Sequence, residues 1–208
     1  MAAPPSGFLA AHVARGTRNV LKIGVALTVL GLGMTWLFDN PFPLFVALPG
    51  VVALGVWVYR RMKPEAHPAY TGLARFGDPA QVAAEVEAAF AGVPIDEAVR
   101  FSADWLAQGD TYGVHVVPWR EVAWIHLYTR VQNGFPSHFV RVWTRDGRTF
   151  VIPVGRAEGE KESMLAQLYA RAPWAEVGYS PEKLKEWQRE RAAVLARVDA
   201  RRASTPTA

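Results

Sequence analysis

Cysteine is absent from this chain of 208 residues. That excludes a disulfide framework, thiolate metal ligation and any cysteine nucleophile, and it fits a reducing compartment. The short signatures of common chemistries are missing too. There is no His-Glu-x-x-His, no Gly-x-Ser-x-Gly, no Gly-x-Gly-x-x-Gly and no phosphate-binding Gly-x-x-x-x-Gly-Lys. Charge is missing from two long apolar runs, Ile23 to Phe38 and Phe42 to Tyr59. A proton relay, ion path or transporter site needs ionisable groups at membrane depth, so these runs do not supply one.

What is present is a pattern of placement. The two runs are 16 and 18 residues long and are joined by Asp39-Asn40-Pro41, close to the lower limit for crossing a hydrocarbon core of roughly 30 Å. Arg15, Arg18 and Lys22 precede the first run, and Arg60, Arg61 and Lys63 follow the second. Basic residues at both outer ends predict a membrane hairpin with both termini in the cytoplasm. The count supports this. Residues 1–63 hold six basic residues and one acid, whereas residues 64–208 hold seventeen and eighteen. The sequence pI near 9.6 is therefore a topology signal, and nucleic acid is not an expected partner.

Trp36, Trp57 and Tyr59 sit at run ends, where amphipathic rings favour the interface. Gly24, Thr28 and Gly31 fall on one helical stripe and Ala47, Gly50 and Leu54 on another, so two helices can approach closely through small residues. The same stripes would also serve a homo-oligomer. Pro49 is placed to kink the second helix. The first run ends in Thr35-Trp36-Leu37-Phe38-Asp39, without the small-x-small site of a cleaved signal peptide, so it is read as a retained span.

The remaining residues suffice for one soluble domain with its own core. Asp78-Pro79 predicts an N-cap followed by proline at the first helical position, opening an alanine-rich helix that Gly92 closes. From Ala98 the apolar period falls to two, and Asn133-Gly134 and Asp146-Gly147 separate strand-like runs, which predicts an antiparallel meander of about five strands. Helix returns at Ala157 to Ala172, and again after Ser180-Pro181-Glu182, where Leu184, Trp187, Val194, Leu195 and Val198 form an apolar stripe. The expected fold class is α+β. A transmembrane hairpin (19–61) follows a cytoplasmic N-terminal segment (1–18) and leads through a linker (62–77) to an antiparallel sheet with packed helices (78–202) and a disordered tail (203–208).

Several local sequences carry a resemblance. They are Lys63-Pro64-Glu65-Ala66-His67-Pro68, Phe76-Gly77-Asp78-Pro79, Asp104-Trp105-Leu106, Val117-Pro118, Glu121-Val122-Ala123-Trp124, Asp146-Gly147, Arg171-Ala172-Pro173-Trp174 and Gly178-Tyr179-Ser180. With the two apolar runs, the chain resembles an uncharacterised family of bacterial two-helix membrane proteins. The soluble part of that family resembles pleckstrin-homology-like domains, and the resemblance implies an inner-membrane protein of that fold. It brings no active site with it.

The residues themselves offer a binding role before a catalytic one. No two of His12, His67, His115, His126 and His138 stand at ligand spacing on one helix, and no metal or cofactor is expected. His115, His126 and His138 fall on separate predicted strands. Trp119, Trp124, Trp143, Trp174 and Trp187 are expected mostly in the core, an exposed one marking a partner site. The binding candidates are Arg130, Arg141, Arg145, Arg148 and Arg156, on or beside strands and hairpin turns, with Arg141 between Phe139 and Trp143. Residues 64–110 carry two basic and eight acidic side chains and residues 111–157 six and two, so the soluble part is expected to be electrically polarised. The expectation is a non-enzymatic, multi-pass inner-membrane protein whose cytoplasmic domain binds either another protein or anionic lipid headgroups. A structural subunit of a membrane complex, or an enzyme with an unrecognised site, are the alternatives.

Overall fold

The computed structural model of the chain describes residues 7–38, 43–92, 99–111, 113–132, 135–154 and 159–205. Two long apolar helices at the N-terminal end are followed by mainly antiparallel sheets and further helices, an α+β arrangement. It divides into two compact units, Met1–Val116 and Val117–Ala208.

In the first unit, helices α1 (Phe8–Phe38) and α2 (Leu44–Met62) are both long and apolar enough to cross a membrane. They pack through the small residues that the sequence placed on two stripes. Gly24, Gly31, Ala47 and Gly50 are buried. At Gly31 and Gly50 only glycine fits, because an added Cβ would stand 2.7 Å from the Cβ of Ala47 and 2.6 Å from the Thr28 backbone nitrogen respectively. The turn at Asp39-Asn40-Pro41 lies outside the described residues.

At 1.5 Å per residue the 31-residue α1 is about 46 Å long, well beyond a hydrocarbon core of roughly 30 Å. The surplus is at its start, and one side of it is buried. Phe8 and Leu9 join a core cluster with Ala69, Leu73, Val82, Val86, Phe90, Trp105, Ala107, Val114 and Val116. These come from α3 (Pro68–Thr71) and the turn after it, from α4 (Pro79–Ala89) and its C-cap, and from strands β2 (Trp105–Gly109) and β3 (Val114–Pro118). Strand β1 (Val99–Phe101) pairs antiparallel with β2, and the sheet order is β1-β2-β3. The start of α1 is capped from a distance. Glu87 of α4 accepts from the backbone N–H groups of Leu9 (3.0 Å) and Ala10 (3.3 Å), placing a carboxylate at the positive end of the helix dipole. Helix α4 begins as its sequence requires, with Asp78 accepting from Ala80 and Gln81 and with Pro79 at the first position.

The second unit holds β4 (Val122–Gln132), β5 (Phe135–Thr144) and β6 (Thr149–Val154) as an antiparallel ladder, and β7 (Glu176–Val177) pairs parallel to β4, giving the order β6-β5-β4-β7. Helix α5 (Glu160–Arg171) packs on β4, β5 and β6. Gly147, at φ +87°, makes the turn between β5 and β6; the Asn133-Gly134 turn lies outside the described residues.

Two expectations are refined by the structure. The strands number seven among the described residues and form two sheets rather than one meander. Pro118 brings no N–H to extend the β3 ladder, and a helical turn at Trp119–Glu121 separates β3 from β4. The final helix is also broken at Glu190 into α6 (Pro181–Arg189) and α7 (Arg191–Ser204). Arg197 forms a bidentate pair with Glu186, at 2.6 and 3.0 Å. Residues eleven apart in an unbroken helix lie about 16 Å apart along its axis, so the pair exists because the helix breaks.

Candidate functional site

The register of β4, β5 and β6 decides what each face of the second unit's sheet presents. One face carries Ile125, Val140, Val142, Phe150 and Ile152, all buried, and α5 packs against these strands with Leu168 buried. The other carries the directly opposed pairs Trp124 with Trp143, His126 with Arg141, Tyr128 with Phe139, and Arg130 with Ser137. Val151 and Pro153 of β6 stand beside Arg141 and Phe139 on that same face.

Helices α6 and α7 roof only half of it. Trp124 and Trp143 stack at 5.7 Å between centroids, and Trp187 and Val194 pack over them with Leu184 and Leu195. The roof ends at His126, which is 1% exposed. The Trp143 indole N–H donates to its Nε2 at 3.2 Å, and its Nδ1 lies 3.1 Å from the carbonyl oxygen of Leu127. Both bonds are made together only by the neutral ring with its proton on Nδ1. Burial, followed by the charge of Arg141, pulls the His126 pKa below its ordinary value, in keeping with that neutral form.

Beyond His126 the face is open. Arg141 lies 4.5 Å over the ring of Tyr128 and 5.9 Å from that of Trp143, a guanidinium held on aromatic surfaces. Its Nε is buried and has no hydrogen-bond partner among the described residues. Tyr128 and Phe139 contact each other at 6.1 Å. Phe135, on the same face by register, is 66% exposed. Arg130 is exposed, and no acidic side chain stands on this face of the three strands. The result is an aromatic surface with two cations and, on β4, β5 and β6 among the described residues, no counter-charge.

The chain matches no protein-family profile, no curated protein and no solved structure.

The five candidate arginines therefore separate. Arg130 and Arg141 share the open face. Arg145 is engaged by Asp199 of α7 through two hydrogen bonds, the second of 2.9 Å, and that bond holds the Asp199 carboxyl below the usual range. Arg148 pairs with Asp146 of its own turn at 3.3 Å. Arg156 lies outside the described residues. The juxtamembrane set is divided as well. Arg15, Arg18 and Lys22 are on α1, Arg60 and Arg61 occupy the last turn of α2, and Lys63 is its C-cap.

The histidines on strands do not converge. His126 and His138 project from opposite faces of the sheet, and His138 bonds Thr129 at 3.0 Å. His115 bonds Asp110 in the first unit. No group of three His, Cys, Asp or Glu side chains suited to a metal ion occurs among the described residues. Trp119, Trp124 and Trp187 are buried, and Trp143 and Trp174 are half-buried. The aromatics on the face beyond His126 are Tyr128 and Phe139, half-buried, and Phe135, exposed. Their two-residue spacing with Arg130 and Arg141 was visible in the sequence, but where the helical roof would stop was not.

Proposed function

We propose that the chain is a bacterial inner-membrane protein, anchored by its hairpin, whose second unit is a non-enzymatic docking module for a protein segment that carries Asp or Glu beside apolar side chains. The observation that carries this reading is the half of the sheet face beyond His126, with Arg141 clasped on Tyr128, Arg130 beyond it and no acid on β4, β5 or β6 among the described residues. A guanidinium fixed on aromatic rings is preorganised for a carboxylate, and a flat aromatic surface suits a partner hot spot. Anionic lipid is the weaker choice for this face. Two unpaired cations at about 1 kcal/mol each give little hold on a headgroup layer.

The anchor is supported by more than hydropathy. Phe8 and Leu9, before the first span, and Leu73 through Val116, after the second, belong to one core cluster. For a membrane hairpin, such a core requires both stretches on the same side of the bilayer, which supports the reading from basic residues at both outer ends. The described strands fall into sheets of three and four, and the parallel β7 placed after α5 departs from the pleckstrin-homology-like domain that the resemblance implies.

The test uses the full chain in its native membrane. A benzophenone amino acid replaces Phe139, with Ala196 on α7 as a control position. A discrete protein adduct at position 139 only, lost with Arg141→Glu and mapped beside acidic residues of the partner, is the expected result. A lipid adduct at position 139, or the same products at both positions, refutes the docking module.

A further inference from the structure

The connector that follows α2 folds against the start of α4 and leaves a cleft of about 630 Å³ within the first unit. Pro64, Tyr70, Ala74, Pro79, Ala80 and Ala83 form most of its wall, and Glu65 and Thr71 complete it. We propose that this cleft holds one acyl chain of an anionic phospholipid drawn from the membrane that the hairpin crosses, an assignment that rests on the hairpin being a membrane anchor.

Position is the first argument. Helix α2 ends at Met62 and the first wall residue of the cleft is Pro64, so that wall lies within about one helical turn of the end of the span. A chain can enter there from the headgroup boundary without crossing open water. Charge is the second. Arg60, Arg61 and Lys63 precede the cleft in sequence and Glu65 lines it, three positive against one negative over residues 60–65, for a net +2. A phosphodiester is the complement of such a segment, and cytoplasmic leaflets are rich in anionic lipid.

The walls supply the third argument. They are alanine, proline and an aromatic ring on short helices whose backbone groups are bonded within their own turns. No strand edge is offered to an extended peptide. Only Glu65, Tyr70 and Thr71 bring polar side chains, too few to orient a polar metabolite, and the volume falls in the range of small-ligand sites. Smooth alanine and proline surfaces match a flexible methylene chain, which needs apolar contact and no particular shape.

The chain has no cysteine, so single labels can be placed at will. Bimane is attached at Ala80→Cys in the cleft, at Ala88→Cys on the exposed part of α4 as a control, and at Val52→Cys within α2. The full chain is placed in phosphatidylcholine nanodiscs and titrated with phosphatidylglycerol bearing a nitroxide mid-chain. Saturable quenching is expected at position 80 and not at 88. It should disappear when the cleft is filled by Ala83→Trp or, at a more exposed wall position, by Ala74→Leu. Arg61→Ser and Lys63→Ser should each weaken the titration about fivefold. Quenching at 52 without any excess at 80 over 88 overturns the site. Equal titration by nitroxide phosphatidylcholine overturns the anionic headgroup. No quenching at 52 overturns the anchor, and the cleft assignment with it, while leaving the docking face of the second unit to its own test.

Discussion

Replacing Gly31 by alanine should weaken the helical hairpin, whereas replacing Gly33, two residues along the same helix, should not. A Cβ at Gly31 would lie 2.7 Å from the Cβ and 2.8 Å from the Cα of Ala47, while one at Gly33 meets nothing within 4 Å. Relaxed carbon contacts are about 3.5–4.0 Å, so the first substitution overlaps a neighbouring backbone by about 1 Å and the helices must part. Overpacking of this kind costs about 1–3 kcal/mol. Alanine recovers up to about 1 kcal/mol over glycine through helix propensity, and that gain is common to both sites. The two variants should therefore differ by about 1–3 kcal/mol, Gly33→Ala being neutral or slightly stabilising. The same contrast holds in α2, where Gly50 abuts Thr28 and Gly55 is open. Unfolding in mixed micelles, driven by rising dodecyl sulfate and followed by circular dichroism, reads the difference. Equal stability of Gly31→Ala and Gly33→Ala, or a more stable Gly31→Ala, would refute the close-packed interface.

Acidification should destabilise the second unit through His126. Its folded pKa lies below the ordinary value of 6.5, so its contribution is present above that pH and is lost as the pH falls through 6.5 toward the folded value. The difference in melting temperature between wild type and His126→Gln should shrink over that interval, and a constant difference counts against the neutral tautomer. Glu87→Ala removes the acceptor for two N–H groups at the start of α1 and should cost about 1–2 kcal/mol; faster tryptic cleavage at Arg15 and Arg18 reports it. Arg145 and Asp199 are partly solvated, so a double-mutant cycle should return a coupling of no more than about 1 kcal/mol, with the cross-linking at position 139 unchanged. Trp187→Ala opens the roof over Trp124 and Trp143 and should cost about 3–5 kcal/mol in chemical denaturation.

Much of this architecture was legible in local chemistry. Asp78-Pro79 and Ser180-Pro181 cap helices by rules that need no partner, and a charge-free run of that length marks a helix apolar enough to cross a membrane. The small-residue stripes were readable for the same reason, since glycine at helical spacing specifies contact in advance of its partner. What lay beyond reading was long-range. Nothing near Phe8 shows that it meets Phe90, because an apolar turn before a basic cluster looks the same whether it is solvated or packed. Arg141 and Arg145 are alike in sequence, and they part company because α7 brings Asp199 to one while the other lies on Tyr128. The open face was hidden likewise, since its extent depends on where α6 and α7 stop.

On the proposed membrane anchor, α1 also sets an order of events during synthesis. Residues 8–20 leave the ribosome well before Ala69 to Val116, their partners in the core, and both spans come in between. The apolar side of the first turns of α1 must wait, uncovered, until the hairpin has been inserted and some fifty further residues have been made. Quality control thus has a built-in checkpoint. A chain whose second span failed to return would leave Phe8 and Leu9 on the wrong side from everything that could cover them, and a protease would find an exposed helical start where the finished protein has none.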